Sequence, residues 1–261
     1  LVAHGRNQRS LMQVPEIEKT GDAVDVEAAR AIARCALAEG REWLNPLEGR
    51  ALLGAFRIPI LQTRMAATAD EAALAAEALG FPVALKIDAA ALTHKSDVDG
   101  VRLGLRDVAS VRIEFAAMLE RVHALRPDAV IRGVSVEPMH GKRDGRELLL
   151  GISRDAVFGP TIGVGLGGVW VEILRDHAVG LPPLNAQLAG ELLSRTRAEK
   201  ALGAFRGADA ANREQVLDVL QRVAELACEL PEVLELDINP LMVLPAGQGV
   251  KAVDALVVLQ R

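Results

Sequence analysis

From Glu235 to Leu241 the chain reads Glu-Leu-Asp-Ile-Asn-Pro-Leu, a strict alternation of polar and apolar residues at 235–239. Side chains on a strand point to opposite faces in turn. A period of two therefore sets Glu235, Asp237 and Asn239 on one face and Leu236 and Ile238 on the other. This constrains the fold tightly, because a one-residue slip in pairing would bury the polar set and expose the apolar one. The segment Pro245-Ala246-Gly247-Gln248-Gly249 is rich in turn formers, and a second apolar run follows it. The expectation is a hairpin of strands at 233–244 and 250–259. Asp254 interrupts the apolar return strand. If the register pairs 239 with 254, Asn239 and Asp254 point the same way. Oxygen ligands from adjacent strands suit Mg²⁺, which takes a few protein oxygens and fills its shell with phosphate and water. A polar outer face is the simpler account of Glu235. Asp254, set among apolar residues, reads as functional.

The rest of the chain alternates helical and strand patterns. Asp25 predicts an N-cap for a helix carrying Ala29, Ile32, Ala33, Ala36 and Leu37 at helical spacing, and Pro46 opens a short second helix at about 47–56. Thr68 and Glu71 form a capping-box pattern for a helix ending at Gly80. A strand at 83–87 leads into a polar loop closed by Asp99-Gly100, and 101–105 is its partner. Val108, Val111, Phe115, Met118, Leu119, Val122 and Leu125 then mark one face of a long helix. Further strands are expected at 130–139 and 146–153, a glycine-rich turn at 163–168, and a strand at 169–174. Asn185 predicts another cap, and a helix at 213–230 carries Val216, Val219, Leu220, Val223 and Leu226 on one face. Several antiparallel pairs in this order disfavour a purely parallel doubly wound sheet and predict a mixed α/β (α+β) architecture. The division expected is a linker over 1–24, N-terminal helices with a first lobe over 25–130, and a second lobe over 131–261.

Composition removes several function classes. The 261 residues suit one large domain or two closely packed lobes, and the net charge is −5. Charged residues break every apolar run before it reaches the length of a membrane span. No basic stripe with interleaved aromatics is present, so neither membrane nor nucleic acid is an expected partner. The start Leu1-Val2-Ala3-His4-Gly5-Arg6, without Met or a signal-peptide pattern, reads as an internal cut from a longer chain. Cys35 and Cys228 lie in apolar helical patterns and are expected to be buried, reduced thiols, which fits a cytoplasmic location.

Four segments carry candidate chemistry. Lys86 stands inside the apolar strand Val83-Ala84-Leu85-Lys86-Ile87. Burying an ammonium is costly unless it is paired, so Lys86 is either an edge residue reaching water or a rigidly held phosphate ligand. The loop Thr93-His94-Lys95-Ser96-Asp97 gathers a histidine, a lysine and two hydroxyls close behind it. It is a solvated turn or a cradle for phosphates. Gly163-Val164-Gly165-Leu166-Gly167-Gly168 formally contains G-x-G-x-x-G. A dinucleotide fingerprint opens a helix, whereas the residues after these glycines read as a strand, so a Rossmann site is rejected. The hairpin with Asp237, Asn239 and Asp254 is the fourth.

In this order the segments resemble the ATP-grasp domain of NDP-forming acyl-CoA synthetases, the superfamily that includes succinyl-CoA synthetase β subunits. The resemblance runs from about Leu44 to Leu259. It comprises Glu48-Gly49-Arg50-Ala51-Leu52-Leu53 with Ile58-Pro59, Phe81-Pro82-Val83-Ala84-Leu85-Lys86, and His94-Lys95-Ser96-Asp97. It continues through Val136-Glu137-Pro138-Met139, Gly145-Arg146-Glu147-Leu148, Gly165-Leu166-Gly167-Gly168 and Leu236-Asp237-Ile238-Asn239-Pro240-Leu241.

The resemblance implies an ATP-grasp fold whose two lobes hold ATP or ADP between antiparallel sheets. Lys86 and Lys95 would face the phosphates, with Gly165, Gly167 and Gly168 in the glycine-rich turn of the nucleotide site. Glu137, Pro138 and Met139 would form the adenine hinge and Glu147 a ribose contact. Asp237, Asn239 and Asp254 match the Mg²⁺ positions. Glu172 matches an acid near the phosphate path, and His94 a histidine that receives phosphate. One departure stands out: the family usually has Gly-Gly where this chain has Asp99-Gly100, and a carboxylate beside a triphosphate is electrostatically unfavourable.

The implied reaction converts acyl-CoA, ADP and phosphate reversibly to acid, CoA and ATP through a phosphohistidine relay. The partners implied are CoA-binding domains, in the same full-length protein or in a partner subunit, and a small acyl substrate. Residues 1–15 resemble the segment preceding this domain in long bacterial chains, some of which carry a GCN5-type acetyltransferase domain. The rival reading is therefore a catalytically silent nucleotide-sensing domain that regulates such an acetyltransferase.

Overall fold

A computed structural model of the chain describes residues 23–89, 99–139, 145–168, 176–205 and 207–260. His94, Lys95 and Glu172, and the strand expected at 169–174, lie outside the described residues. The chain divides into two compact units, Leu61–Lys142 and the remainder, Leu1–Ile60 with Arg143–Arg261. The expected division at 130/131 is corrected in two respects. The N-terminal helices pack into the core of the unit that begins again at Arg143, and the strand over 131–138 belongs to the sheet of the other unit. Local patterning cannot show either, since both follow from pairings distant in sequence.

The unit over 61–142 is a four-stranded antiparallel sheet with two helices. Its elements are β1 (Arg64–Ala66), α3 (Ala69–Leu79), β2 (Val83–Ala89), β3 (Val101–Leu105), α4 (Val108–Leu125) and β4 (Ile131–Pro138), with strand order β1-β4-β2-β3. The numbering leaves α1 (Val26–Ala38) and α2 (Pro46–Ala55) to the other unit. Thr68 caps α3 by accepting from the Glu71 N–H at 3.2 Å, but the Glu71 carboxylate reaches back to the Ala67 N–H rather than to that of Thr68. Val83, Leu85 and Ile87 of β2 and Val134 and Val136 of β4 share a core with Ala72 and Ala76 of α3 and Val111, Phe115, Met118 and Val122 of α4. Leu125, expected on the buried stripe, is exposed at the last turn of α4. Alternation then places Lys86 of β2 and Ser135 and Glu137 of β4 on the face turned away from that core.

The other unit is built on a six-stranded sheet. β5 (Arg146–Asp155), β6 (Gly159–Leu166), β7 (His177–Gly180), β8 (Val233–Val243) and β10 (Ala255–Leu259) run in the order β10-β8-β5-β6-β7, and β9 (Val250–Ala252) also pairs with β8. Helices α5 (Ala186–Ser194), α6 (Ala198–Ala201) and α7 (Arg213–Glu229) complete it. The caps predicted at Asp25 and Asn185 form, and Asn45, just before Pro46, makes a capping box with Glu48. All five apolar residues read on the stripe of α7 are buried. Arg154 of β5 closes the end of that helix by donating to the carbonyls of Ala227, Leu230 and Val233. Cys35 and Cys228 are free thiols, but both are exposed rather than buried, because each lies off the apolar stripe of its helix. Among the described residues no helix is long and apolar enough to cross a membrane.

Candidate functional site

The expected C-terminal hairpin forms with an interruption: β9 and β10 pair with β8 on either side of Val253 and Asp254. The register is Ala255 opposite Ile238 and Leu241 opposite Ala252, which sets Asn239 opposite Asp254. The Asn239 N–H donates to the Asp254 carbonyl at 3.2 Å, and the Val253 N–H to the Pro240 carbonyl at 3.0 Å. This is the register that puts Asn239 and Asp254 on one face. The Asp254 carboxylate accepts from the Ala255 N–H at 3.0 Å.

Asp237 lies on the same face as Asn239. Burial, followed by the carboxylates of Glu235 and Asp254, holds its carboxyl above the usual value. Two further carboxylates, one on β8 and one at the break between β9 and β10, thus act on Asp237. Glu235 is exposed, as a polar outer face requires. Among the described residues no group of three or more His, Cys, Asp or Glu side chains is arranged to ligate a metal by itself. The donors available are two carboxylates and an amide. That set fits Mg²⁺, which keeps water and phosphate oxygens in its shell, better than a metal needing a closed protein cage.

The glycine-rich segment is part strand, part turn. Gly163 and Gly165 lie within β6 rather than in the expected turn, and only Gly167 and Gly168 follow it. At Gly165 and Gly167 the physical reason for glycine is close backbone approach. A Cβ on Gly165 would overlap the Asp176 carbonyl beside β7, and one on Gly167 would come within 2.6 Å of the Leu148 carbonyl. Gly167 donates to the Glu147 carbonyl at 2.8 Å. Gly168 adopts φ +68°, and a Cβ there would overlap the Glu147 carboxylate. Its N–H donates to Asn239 Oδ1 at 3.3 Å. Glu147, Gly167, Gly168, Asn239, Asp254 and Asp237 are therefore brought to one region of the six-stranded sheet, although they span more than a hundred residues of sequence.

The second constellation lies in the unit over 61–142. The Lys86 ammonium is 2.8 Å from Glu137 Oε2, with side chains only 12% and 3% exposed. The Ser135 hydroxyl lies 3.3 Å from the Lys86 carbonyl and 3.5 Å from Glu137 Oε1. Of the residues read as an adenine hinge, Pro138 has no N–H, and the Met139 N–H donates to the Pro82 carbonyl at 2.9 Å. The Met139 sulfur accepts from the Gly104 N–H.

Asp99 adopts φ +54°, in the left-handed region that favours glycine. Its carboxylate takes two hydrogen bonds from Arg102, at 2.6 and 2.9 Å, and faces Arg121 at 3.0 Å. Glu114 bridges the same two arginines. The carboxylate that looked electrostatically unfavourable is thus answered by two guanidiniums. Sequence reading missed these partners and Ser135. The arginines lie three and twenty-two residues on, and an arginine on an edge strand or a helix reads by default as solvated.

An ATP-grasp domain family matches residues 35–259. The chain is 34% identical over 225 residues to the β subunit of acetate–CoA ligase [ADP-forming] II of Pyrococcus furiosus, covering 86% of this chain and 94% of that subunit. It is 36% identical to acetate–CoA ligase [ADP-forming] I of Archaeoglobus fulgidus, over 87% of this chain but 33% of that longer protein. Among solved structures it resembles the dinucleotide-forming acetyl-coenzyme A synthetase 1 of Ca. Korarchaeum cryptofilum, with a TM-score of 0.76 and 33% identity over 89% of this chain and 100% of that one. That crystal holds coenzyme A and Mg-AMPPCP, with a phosphohistidine segment pointing towards the nucleotide-binding site. With a family match over most of its length and more than 30% identity across nearly the whole of a β subunit, the chain belongs to the ATP-grasp family, in the branch formed by the β subunits of ADP-forming acid–CoA ligases.

Proposed function

We propose that this chain is the nucleotide-binding and phosphotransfer module of an NDP-forming acyl-CoA synthetase. The observation that carries the reading is coverage: the chain spans 94% of a ligase β subunit, so the likeness extends well past a shared nucleotide fold. ATP or ADP is the nucleotide, and CoA-binding domains, in the same protein or in a partner subunit, supply the acyl chemistry. The small acyl substrate engages those domains.

The residues support this reading in distinct ways. Lys86 and Lys95 bind the phosphates. The carbonyls of Pro138 and Met139 accept from the adenine amine, since the one N–H of the pair is already taken by Pro82. Glu147 takes the ribose, and Gly165, Gly167 and Gly168 keep the backbone close where a side chain would intrude. Asp237, Asn239 and Asp254 hold Mg²⁺, which when bound supplies charge neutralisation on the phosphates. Glu172 is assigned the acid of the phosphate path by its place in the sequence. A His94 ring nitrogen forms a P–N bond as the phosphoryl group leaves its donor. That bond breaks as a terminal ADP oxygen takes the group to give ATP.

The deciding experiment supplies the chain with a CoA-binding ligase subunit, acyl-CoA, ADP, phosphate and Mg²⁺. Expected are net ATP formation and an acid-labile, base-stable phosphoryl label that vanishes in His94→Ala. Nucleotide binding without ATP formation or label, under conditions where an authentic β subunit turns over, would leave the nucleotide-sensing reading in its place.

A further inference from the structure

We propose that Glu137 is a positioning residue for Lys86, so that the two side chains act as one phosphate-binding unit. The proposal rests on Lys86 being a phosphate ligand. Glu137 was grouped with an adenine hinge by its place in the chain, but its side chain is committed elsewhere. In the antiparallel pairing of β2 with β4, Ala84 faces Glu137 and Lys86 faces Ser135. Lys86 and Glu137 are therefore diagonal neighbours on one face, within reach of long side chains. Their charged groups meet at 2.8 Å, and Ser135, between them, touches both the Lys86 carbonyl and the second Glu137 oxygen.

A lysine ammonium has three N–H donors on a four-carbon stem with many rotamers. Glu137 engages one donor and selects one stem conformation before any ligand arrives, which removes an ordering cost from binding. A phosphate oxygen that binds Lys86 would meet donors other than the one Glu137 engages, so the pair can persist with the ligand bound. A buried carboxylate is itself tolerable only beside such a cation. The pair is thus organised for phosphate, not for the base or sugar.

The test is calorimetric titration of the full chain with Mg-ADP and, separately, with adenosine. In Glu137→Gln, Mg-ADP affinity should fall about tenfold while adenosine affinity changes less than about twofold, because only the phosphate contact is charge-assisted. Lys86→Ala should show the same selectivity, and the double variant should be no weaker than Lys86→Ala alone. Glu137→Asp should recover part of the loss. Equal weakening of both ligands by Glu137→Gln, or losses that add in the double variant, would overturn the proposal. Unchanged Mg-ADP binding in Lys86→Ala would instead remove Lys86 from the site, and the proposal with it. If Glu137→Gln does not fold, Glu137→Asp decides by the same ratio of Mg-ADP to adenosine affinity.

Discussion

Two sites, one in each unit, treat charge in opposite ways. In the unit over 61–142, signs are matched: Lys86 meets Glu137 at 2.8 Å, and Arg102 and Arg121 answer Asp99 and Glu114. On the face of β8 and β10 one sign gathers, and Asp237 has Glu235 and Asp254 as its electrostatic neighbours. Matched charges make a rigid tool whose geometry is set before the ligand arrives. Like charges held together by a backbone register make a place whose electrostatics a cation completes.

The contrast is broken most directly at Lys86. Lys86→Ala leaves the Glu137 carboxylate buried without that ammonium, and folding stability in urea should fall by about 3–5 kcal/mol. Replacing both residues by apolar ones, Lys86→Met with Glu137→Leu, should recover most of it. A loss in the single variant below about 1 kcal/mol, the scale of an exposed pair, would mean that water reaches the two groups freely.

At the other face, Asn239→Ala and Asp254→Ala should each reduce the Mg²⁺ dependence of ADP binding. The ratio of affinities with and without Mg²⁺ should drop about tenfold, the scale of one charge-assisted ligand. The fold, followed by circular dichroism, should be unchanged. A ratio unmoved by either substitution would leave the acidic face without its cation.

Asp237→Asn sharpens the same point with a smaller effect of opposite sign. Removing one of the like charges should leave the metal-free protein equally stable or more stable, by less than about 1 kcal/mol given partial exposure. Destabilisation approaching that of Lys86→Ala would erase the difference between the regions.

The smallest effect is a reference for a carboxylate satisfied by backbone alone. Asp155 accepts from the Phe158 and Val157 N–H groups at 2.9 and 2.8 Å, and these bonds hold its carboxyl below the ordinary value. Its contribution to the β5–β6 turn is therefore present above the unfolded-state value and is lost as pH falls through the lower folded one. The amide resonances of Val157 and Phe158 should report that titration below the usual carboxylate range. A midpoint at or above the ordinary value would show that the two bonds do not form in solution.

How much of this was legible beforehand varies by element. The helices declared themselves through Asp25, Pro46, Thr68 and Asn185, because an N-cap or an opening proline acts within three residues. The alternation at 235–239 fixed which side chains share a face, since strand period is a local property. It left the partner of Asn239 conditional on register. Gly165, Gly167 and Gly168 were legible as a signal but not as a cause, since the Asp176, Leu148 and Glu147 atoms that exclude a side chain there come from other parts of the chain.

What the sequence by itself determined is what rests on neighbours: the elements, their polar and apolar faces, and an ordered series of motifs specific enough to name a family. What only the tertiary structure decided is what rests on pairing at a distance. The Lys86–Glu137 contact joins residues on strands between which β3 and α4 intervene, and exists because β4 inserts beside β2. The choice of 239 opposite 254 follows from β9 and β10 keeping one register with β8 across the break at Val253 and Asp254. The assignment of α1 and α2 to the unit that resumes at Arg143 follows from where their apolar faces find a core. Periodicity tells a residue which way to face, and strand pairing and core packing alone decide what it meets there.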